Sequence, residues 1–223
     1  MKRLLLPAVL IAVGLLLAAC GGPPPPLRSD KYLNDRSLLT GSPCAAPCFQ
    51  NVIVGETTFT TALESIKANP LFKDVQSQDN PPQAGWAAAN GDPCCQMTAN
   101  AQTGKVDAML IRVAPTMRIG EVIAKFGEPQ YVSVGTQDYS AEEAVLAVLF
   151  PKQNVILYVV PGNPASDLDA NDPVVAIIYV DPANFSTVVE SATLWGWQGY
   201  RAYSDYKTAT PIITPRPTST PGQ

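Results

Sequence analysis

Cysteine is the residue through which this chain could do covalent chemistry, and histidine is missing: the sequence holds 5 Cys and 0 His. Without imidazole there is no Ser–His–Asp triad, no histidine general base and no imidazole metal ligand. Apart from Cys20, Cys44 and Cys48 bracket Ala45-Ala46-Pro47, and Cys94 and Cys95 are adjacent. In an oxidising compartment such cysteines form structural disulfides, and four of them allow three connectivities. A local Cys44–Cys48 bond leaves Cys94 and Cys95 as a vicinal bond or as free thiols. Crossed bonds would pin the Cys44 loop to the segment at Cys94, where adjacent strand residues face opposite sides and only one can reach a given partner. A four-cysteine zinc site has the wrong paired spacing. Cys-x-x-x-Cys is also not the Cys-x-x-Cys of thiol oxidoreductases.

Other side chains offer binding rather than reaction. Asp167, Asp169 and Asn171 have the 1, 3, 5 oxygen spacing of a calcium loop. Asp172 replaces the glycine of such a loop and Ile178 its closing glutamate, so calcium is a weak candidate and an acidic hairpin loop is the alternative. Trp195, Trp197 and Tyr200, continued by Tyr203 and Tyr206, form an aromatic stripe. Exposed, it would bind a glycan or a protein; folded back, it is core. Trp86 stands alone on an expected strand and reads as core. Glu142 and Glu143 are neighbouring acids, but in an extended segment they face opposite sides and read as a solvated turn. Ser37, Ser42 and Ser65 lack a Gly-x-Ser-x-Gly frame, and there is no phosphate loop or dinucleotide fingerprint. No catalytic residue and no cofactor is expected.

The N-terminus carries an address. Lys2 and Arg3 precede an apolar run, Leu4 to Leu17, broken by Pro7 and Gly14. Such a run is short for a membrane span, which needs about 20 apolar residues, and fits a secretory signal. Leu17-Ala18-Ala19-Cys20 resembles the lipobox of bacterial lipoproteins. The resemblance implies cleavage before Cys20, a diacylglycerol and further fatty acyl on that cysteine, and a chain held outside the membrane. Each buried methylene contributes roughly 0.8 kcal/mol to such an anchor. Gly21-Gly22 and Pro23 to Pro26 then suit a spacer.

Composition agrees with that address. The net charge is −4, only 15% of residues are charged and there are 22 Pro. Cleavage would remove two positive charges, so the mature surface has no electrostatic reason to seek nucleic acid.

Two segments of helical spacing must position everything else. Phe59, Ala62, Leu63 and Ile66 fall on one helix face, entered at Thr57 or Thr58 and ended by Asn69-Pro70. The pattern returns at Ile119, Val122, Ile123 and Phe126, entered at Thr116 and ended by Gly127-Glu128-Pro129. Strands are predicted after the first helix over about 72–78, 84–90, 94–101 and 105–113, and after the second over about 130–136, 144–150, 154–160 and 174–181. The runs 144–150 and 154–160 lack alternation and should be covered on both faces. The expected fold is therefore α+β: two tandem repeats, each a helix plus a four-stranded antiparallel sheet, sharing one core. The expected organisation is a signal peptide (1–19), a lipidated flexible tether (20–42), a first repeat (43–114), a second repeat with the aromatic segment (115–207) and a disordered Thr/Pro-rich tail (208–223).

Helix-then-meander units with Val54-Gly55-Glu56-Thr57, Ile119-Gly120-Glu121-Val122 and Gly127-Glu128-Pro129 resemble the BamE/SmpA/OmlA envelope lipoproteins and the tandem-repeat β-lactamase inhibitory proteins. The first helix lacks the Gly-x-Pro exit of that pattern, and the cysteine pairs are not part of it. Cys44-Ala45-Ala46-Pro47-Cys48-Phe49 with the Thr/Pro tail also resembles lipoproteins of Chloroflexi-type bacteria. These likenesses imply binding rather than catalysis: a scaffold or protein-binding module of the cell envelope with an envelope protein as partner. The alternative is a lipoprotein that binds a small ligand, a glycan or calcium.

Overall fold

The computed structural model describes residues 26–134, 144–163 and 165–214. Its helices are α1 (Ser37–Thr40), α2 (Phe59–Ala68), α3 (Ile119–Phe126), α4 (Phe185–Ser191) and α5 (Tyr203–Thr208). A small ribbon pairs β1 (Cys48–Phe49) with β2 (Val52–Ile53). The main sheet contains β3 (Phe72–Asp79), β4 (Pro82–Ala88), β5 (Pro93–Ala99) and β6 (Val106–Arg112). It continues with β7 (Tyr131–Val134), β8 (Leu146–Phe150), β9 (Val155–Val159), β10 (Val174–Val180) and β11 (Trp195–Gly196).

All nine of these strands lie in one antiparallel sheet, in the order β11-β7-β8-β9-β10-β6-β5-β4-β3. The chain is thus mixed helix and sheet, but the expected pair of four-stranded sheets is corrected to a single one. The join is β6 against β10, with Leu110 opposite Ile178 and Met109 opposite Tyr179. Both strands are apolar along most of their length, and an apolar strand left at an edge would expose unpaired backbone. Pairing the two removes both edges at once.

Strand alternation divides the core. Val148, Phe150, Val155 and Leu157 point to one face, with Trp86, Met97, Met109, Ile111 and Tyr179, and α2 and α3 lie over them. Leu149 and Ile156 point to the other face, where Phe185 of α4, Leu194 and Ile213 cover them. Among the described residues no helix is long and apolar enough to cross a membrane.

The helices start where the spacing places them. Thr58 caps α2, its hydroxyl oxygen accepting from the Thr61 N–H at 3.3 Å. The expected cap of α3 is corrected: Thr116 donates instead to Asn34 at 3.3 Å, and the Glu121 carboxylate accepts from the Arg118 N–H at 2.9 Å. That bond, with Arg36 beside it, holds the Glu121 carboxyl below its ordinary range.

Two expectations about flexible ends are also corrected. Part of the tether expected over 20–42 belongs to the fold, since Tyr32, Leu33 and Leu38 are buried. Leu33 bridges to Val113, and Lys125 of α3 donates to the Leu38 carbonyl at 3.1 Å, one of the last carbonyls of α1. The first residues of the tail expected from 208 likewise belong to the fold. Residues 208–214 are placed, Ile213 pairs with Leu194, and its N–H reaches the Leu194 carbonyl at 3.1 Å. In both places a few apolar side chains outweigh the proline-rich surroundings.

Candidate functional site

One row of residues crosses the second face of the sheet from end to end. From Tyr131 it passes through Leu149 and Ile156 to Ile178. Here it is apolar and lies under α4 and the segment after it. It then continues through Leu110, Gln96 and Gly85 to Gln76. Over β3 to β5 the glutamines are exposed, and among the described residues no helix lies above them. The next row, Gln78, Gln83 and Thr98, repeats the polar character.

The bare half is hollowed along β4. Gly85 and Ala87 put almost nothing above the backbone, while Gln76 on β3 and Gln96 on β5 stand on either side. Two cavities, of about 520 and 310 Å³, share Gln76, Gly85 and Gln96 and so form one trough. The larger reaches Asp74, Arg112 and the Cys94–Cys95 pair. Its size is in the range of small-ligand sites.

Each wall has a local cause. β3 is an edge strand with a bulge between Lys73 and Gln76, where Asp74 takes φ +54°. A bulge and charges protect such an edge from pairing with another chain. Arg112 is steadied by Tyr32: its Nη1 donates to the Tyr32 hydroxyl at 3.3 Å, and its guanidinium lies 5.7 Å from the Tyr32 ring centre. Trp86 lies under the trough on the core face, edge-on to Phe72 at 5.9 Å, with its Nε1 buried and unpaired among the described residues.

The cysteine connectivity is the local one. Cys44 is bonded to Cys48, and Cys94 to Cys95. β4 pairs Trp86 with Cys95 and Ala87 with Pro93, so Cys94 is an extra residue in β5. The bulge lets two adjacent cysteines meet in a strand that would otherwise turn them apart.

The other predicted site residues are dispersed. Asp169 Oδ1 accepts from the Asn171 backbone N–H at 2.8 Å, and the Asp169 N–H donates to Asp172 Oδ2. Asp167 bridges to Ala202 on another segment. The weak calcium candidate Asp167, Asp169 and Asn171 is thus a closed acidic turn, and burial raises the Asp172 carboxyl. Among the described residues no group of three or more acidic or cysteine side chains could hold a metal. The aromatic stripe is split. Trp195, Tyr203 and Tyr206 are buried, and Trp195 Nε1 donates to the Ala209 carbonyl at 3.0 Å. Trp197 is half-buried against Tyr200, with ring centres 5.8 Å apart, and only Tyr200 is exposed, at 42%. The stripe is therefore not a continuous binding platform: Trp195, Tyr203 and Tyr206 belong to the core, as the folded-back alternative has it, and Tyr200 does not. Cys20, Glu142 and Glu143 lie outside the described residues.

Two features escaped the sequence reading. The trough had a signal, namely polar residues alternating through 76–98 with Gly85 in mid-strand. The buried Asp35 had none. Its Oδ2 accepts from the Ser37 hydroxyl at 2.7 Å and the Ser37 N–H at 3.2 Å. Burial raises the Asp35 carboxyl, and Ser37 offsets part of that rise. Burial also pushes the nearby Tyr179 hydroxyl well up, with Asp35 adding to it.

No family model, no curated protein and no solved structure matches this chain.

Proposed function

We propose that this chain is a lipid-anchored, non-catalytic binding module on the outer side of a membrane, and that it binds through the bare half of its sheet. The observation that carries this reading is the change of character along one row, from Tyr131–Ile178, covered by the chain itself, to Gln96–Gln76, left open. An open sheet face that is polar and hollowed suits reversible binding. The anchor rests on the Leu17-Ala18-Ala19-Cys20 motif. The absence of His removes the commonest hydrolytic designs. α2 and α3 each precede four consecutive strands, which supports the tandem-repeat reading and the likeness to envelope lipoproteins that bind proteins. An envelope protein is the first partner this suggests.

The test is a photo-crosslinker at position 96 of the detergent-extracted lipoprotein, with a control at the exposed Glu64 of α2. A partner captured at 96 and not at 64 is expected. Equal capture at both, or none at 96, would remove the reading. Mass spectrometry of the native N-terminus should find acylated Cys20, and an unprocessed Met1 would end the anchor. A second reading, a small polar ligand in the trough, is favoured by Gly85.

A further inference from the structure

We propose that the trough along β4 is a saccharide site that takes a short, linear, neutral oligosaccharide. This deepens the second reading above, a small polar ligand in the trough, and rests on the bare face being a binding surface. Glycine in mid-strand weakens a sheet and often marks a place where something else approaches the backbone. At position 85 the fold itself gives no reason for glycine. Its φ lies outside the left-handed region, and a Cβ built there meets only the Cys95 carbonyl at 3.6 Å and Gln96 Cγ at 3.9 Å. A methyl group there would make only ordinary contacts, and a larger side chain would project into the trough. Ala87 keeps the same floor low one step along the strand.

The lining chooses the occupant. Gln76, Gln83 and Gln96 are exposed, with no hydrogen bond to their side chains among the described residues. Each side-chain amide offers donors and acceptors together, which matches sugar hydroxyls that also donate and accept. The floor of Gly85, Ala87 and Leu110 suits the C–H face of a pyranose. Charge is kept to the margins, with Asp74 on β3 and Arg112 on β6. Those strands are three interstrand spacings apart, about 14 Å, so no compact ion and no free amino acid spans both. An extended peptide fits less well. The strands beneath are already paired, so the face offers no backbone ladder, and no aromatic side chain lies along the row from Leu110 to Gln76 to act as an anchor.

Calorimetry on the detergent-extracted lipoprotein tests this with neutral hexose and N-acetylhexosamine trimers, an acidic oligosaccharide and a Gly/Ser peptide. Saturable binding of a neutral trimer is expected, weakened at least tenfold by Gly85→Val while the thermal midpoint does not fall. Gln96→Ala and Gln76→Ala should weaken it as well, and they carry the test if Gly85→Val does not fold. Binding of the acidic sugar or the peptide alone, no binding at all, or full affinity in Gly85→Val would each overturn the saccharide site. If the sugars fail while a protein still crosslinks at position 96, the bare face stands without this occupant. If both fail, both readings go.

Discussion

The half of the sheet from β7 to β10 and the half from β3 to β6 have the same meander pairing but different second faces. In the first half Leu149, Ile156 and Ile178 face α4 and Ile213. In the second, Gln76, Gly85 and Gln96 face outward. The difference follows from chain order. α4 and the segment to Ile213 come directly after β10 and fold back over the strands nearest to it. Nothing of the kind follows β6, where the chain turns into α3 and the first face. A sheet side that its own chain does not cover must be polar or must meet something else, and the residues on each half follow that rule.

The largest expected effect comes from stripping the cover. Phe185→Ala should lower stability by about 3–5 kcal/mol, since Phe185 is buried on the second face. Leu110→Ala, in the same row on the bare half, should cost no more than about 1 kcal/mol. Chemical denaturation of both variants checks the contrast, and equal losses would mean that the two halves are not differently covered.

A smaller effect is expected where the bare half is held from its first face. The Cys44–Cys48 bond closes a short loop beside Phe49, which is fully buried and packs between Phe72 and Tyr179. Replacing both cysteines by serine should cost about 2 kcal/mol by loop entropy, read as a lower denaturation midpoint with the slope unchanged. A loss near zero would mean that the Phe49 packing holds the loop by itself.

Asp35 should act more weakly, because the two Ser37 hydrogen bonds offset part of its burial. Its carboxyl is raised in the folded state, so the native chain holds that proton more tightly than the unfolded one. The contribution is therefore full below the unfolded value of about 3.9. It is lost as pH rises through the raised folded value and stays constant above that. Asp35→Asn should raise the thermal midpoint at neutral pH, with the advantage vanishing in strong acid. A variant less stable at neutral pH would show that the ionised carboxylate is needed.

Much of this could be read from the sequence, for reasons that differ by region. Phe59, Ala62 and Ile66 and the matching Ile119 and Val122 found their helices because a buried stripe repeats with the helical period. The runs at 146–150 and 155–159, which do not alternate, are covered on both faces, as their composition implied. The aromatic segment was harder. Trp195, Tyr203 and Tyr206 are buried and Tyr200 is not, and that depends on what lies beneath them rather than on their spacing. Tyr32, Leu33 and Leu38 were hidden by the prolines before them, and their docking needs Val113 and Lys125 from distant segments. The cysteine pairing turned on a single extra residue in β5, which no spacing rule reveals. The trough had all its residues in view, but only the join of β6 to β10 shows that they lie beyond the reach of α4.

The smallest effect is the most direct test of that last point. Gln96→Thr replaces an exposed residue on the bare half with a better strand former, and no hydrogen bond of its side chain within the described residues is lost. If the polar row serves something outside the chain, the unliganded variant should keep its stability within about 0.5 kcal/mol or gain slightly. The mirror change, Ile156→Thr, sets a hydroxyl without a clear partner beneath α4 and should cost several times as much. Denaturation of the two variants side by side gives the ratio. A clear loss in Gln96→Thr would mean that Gln96 holds the sheet together, and the contrast between the halves would then be one of packing alone.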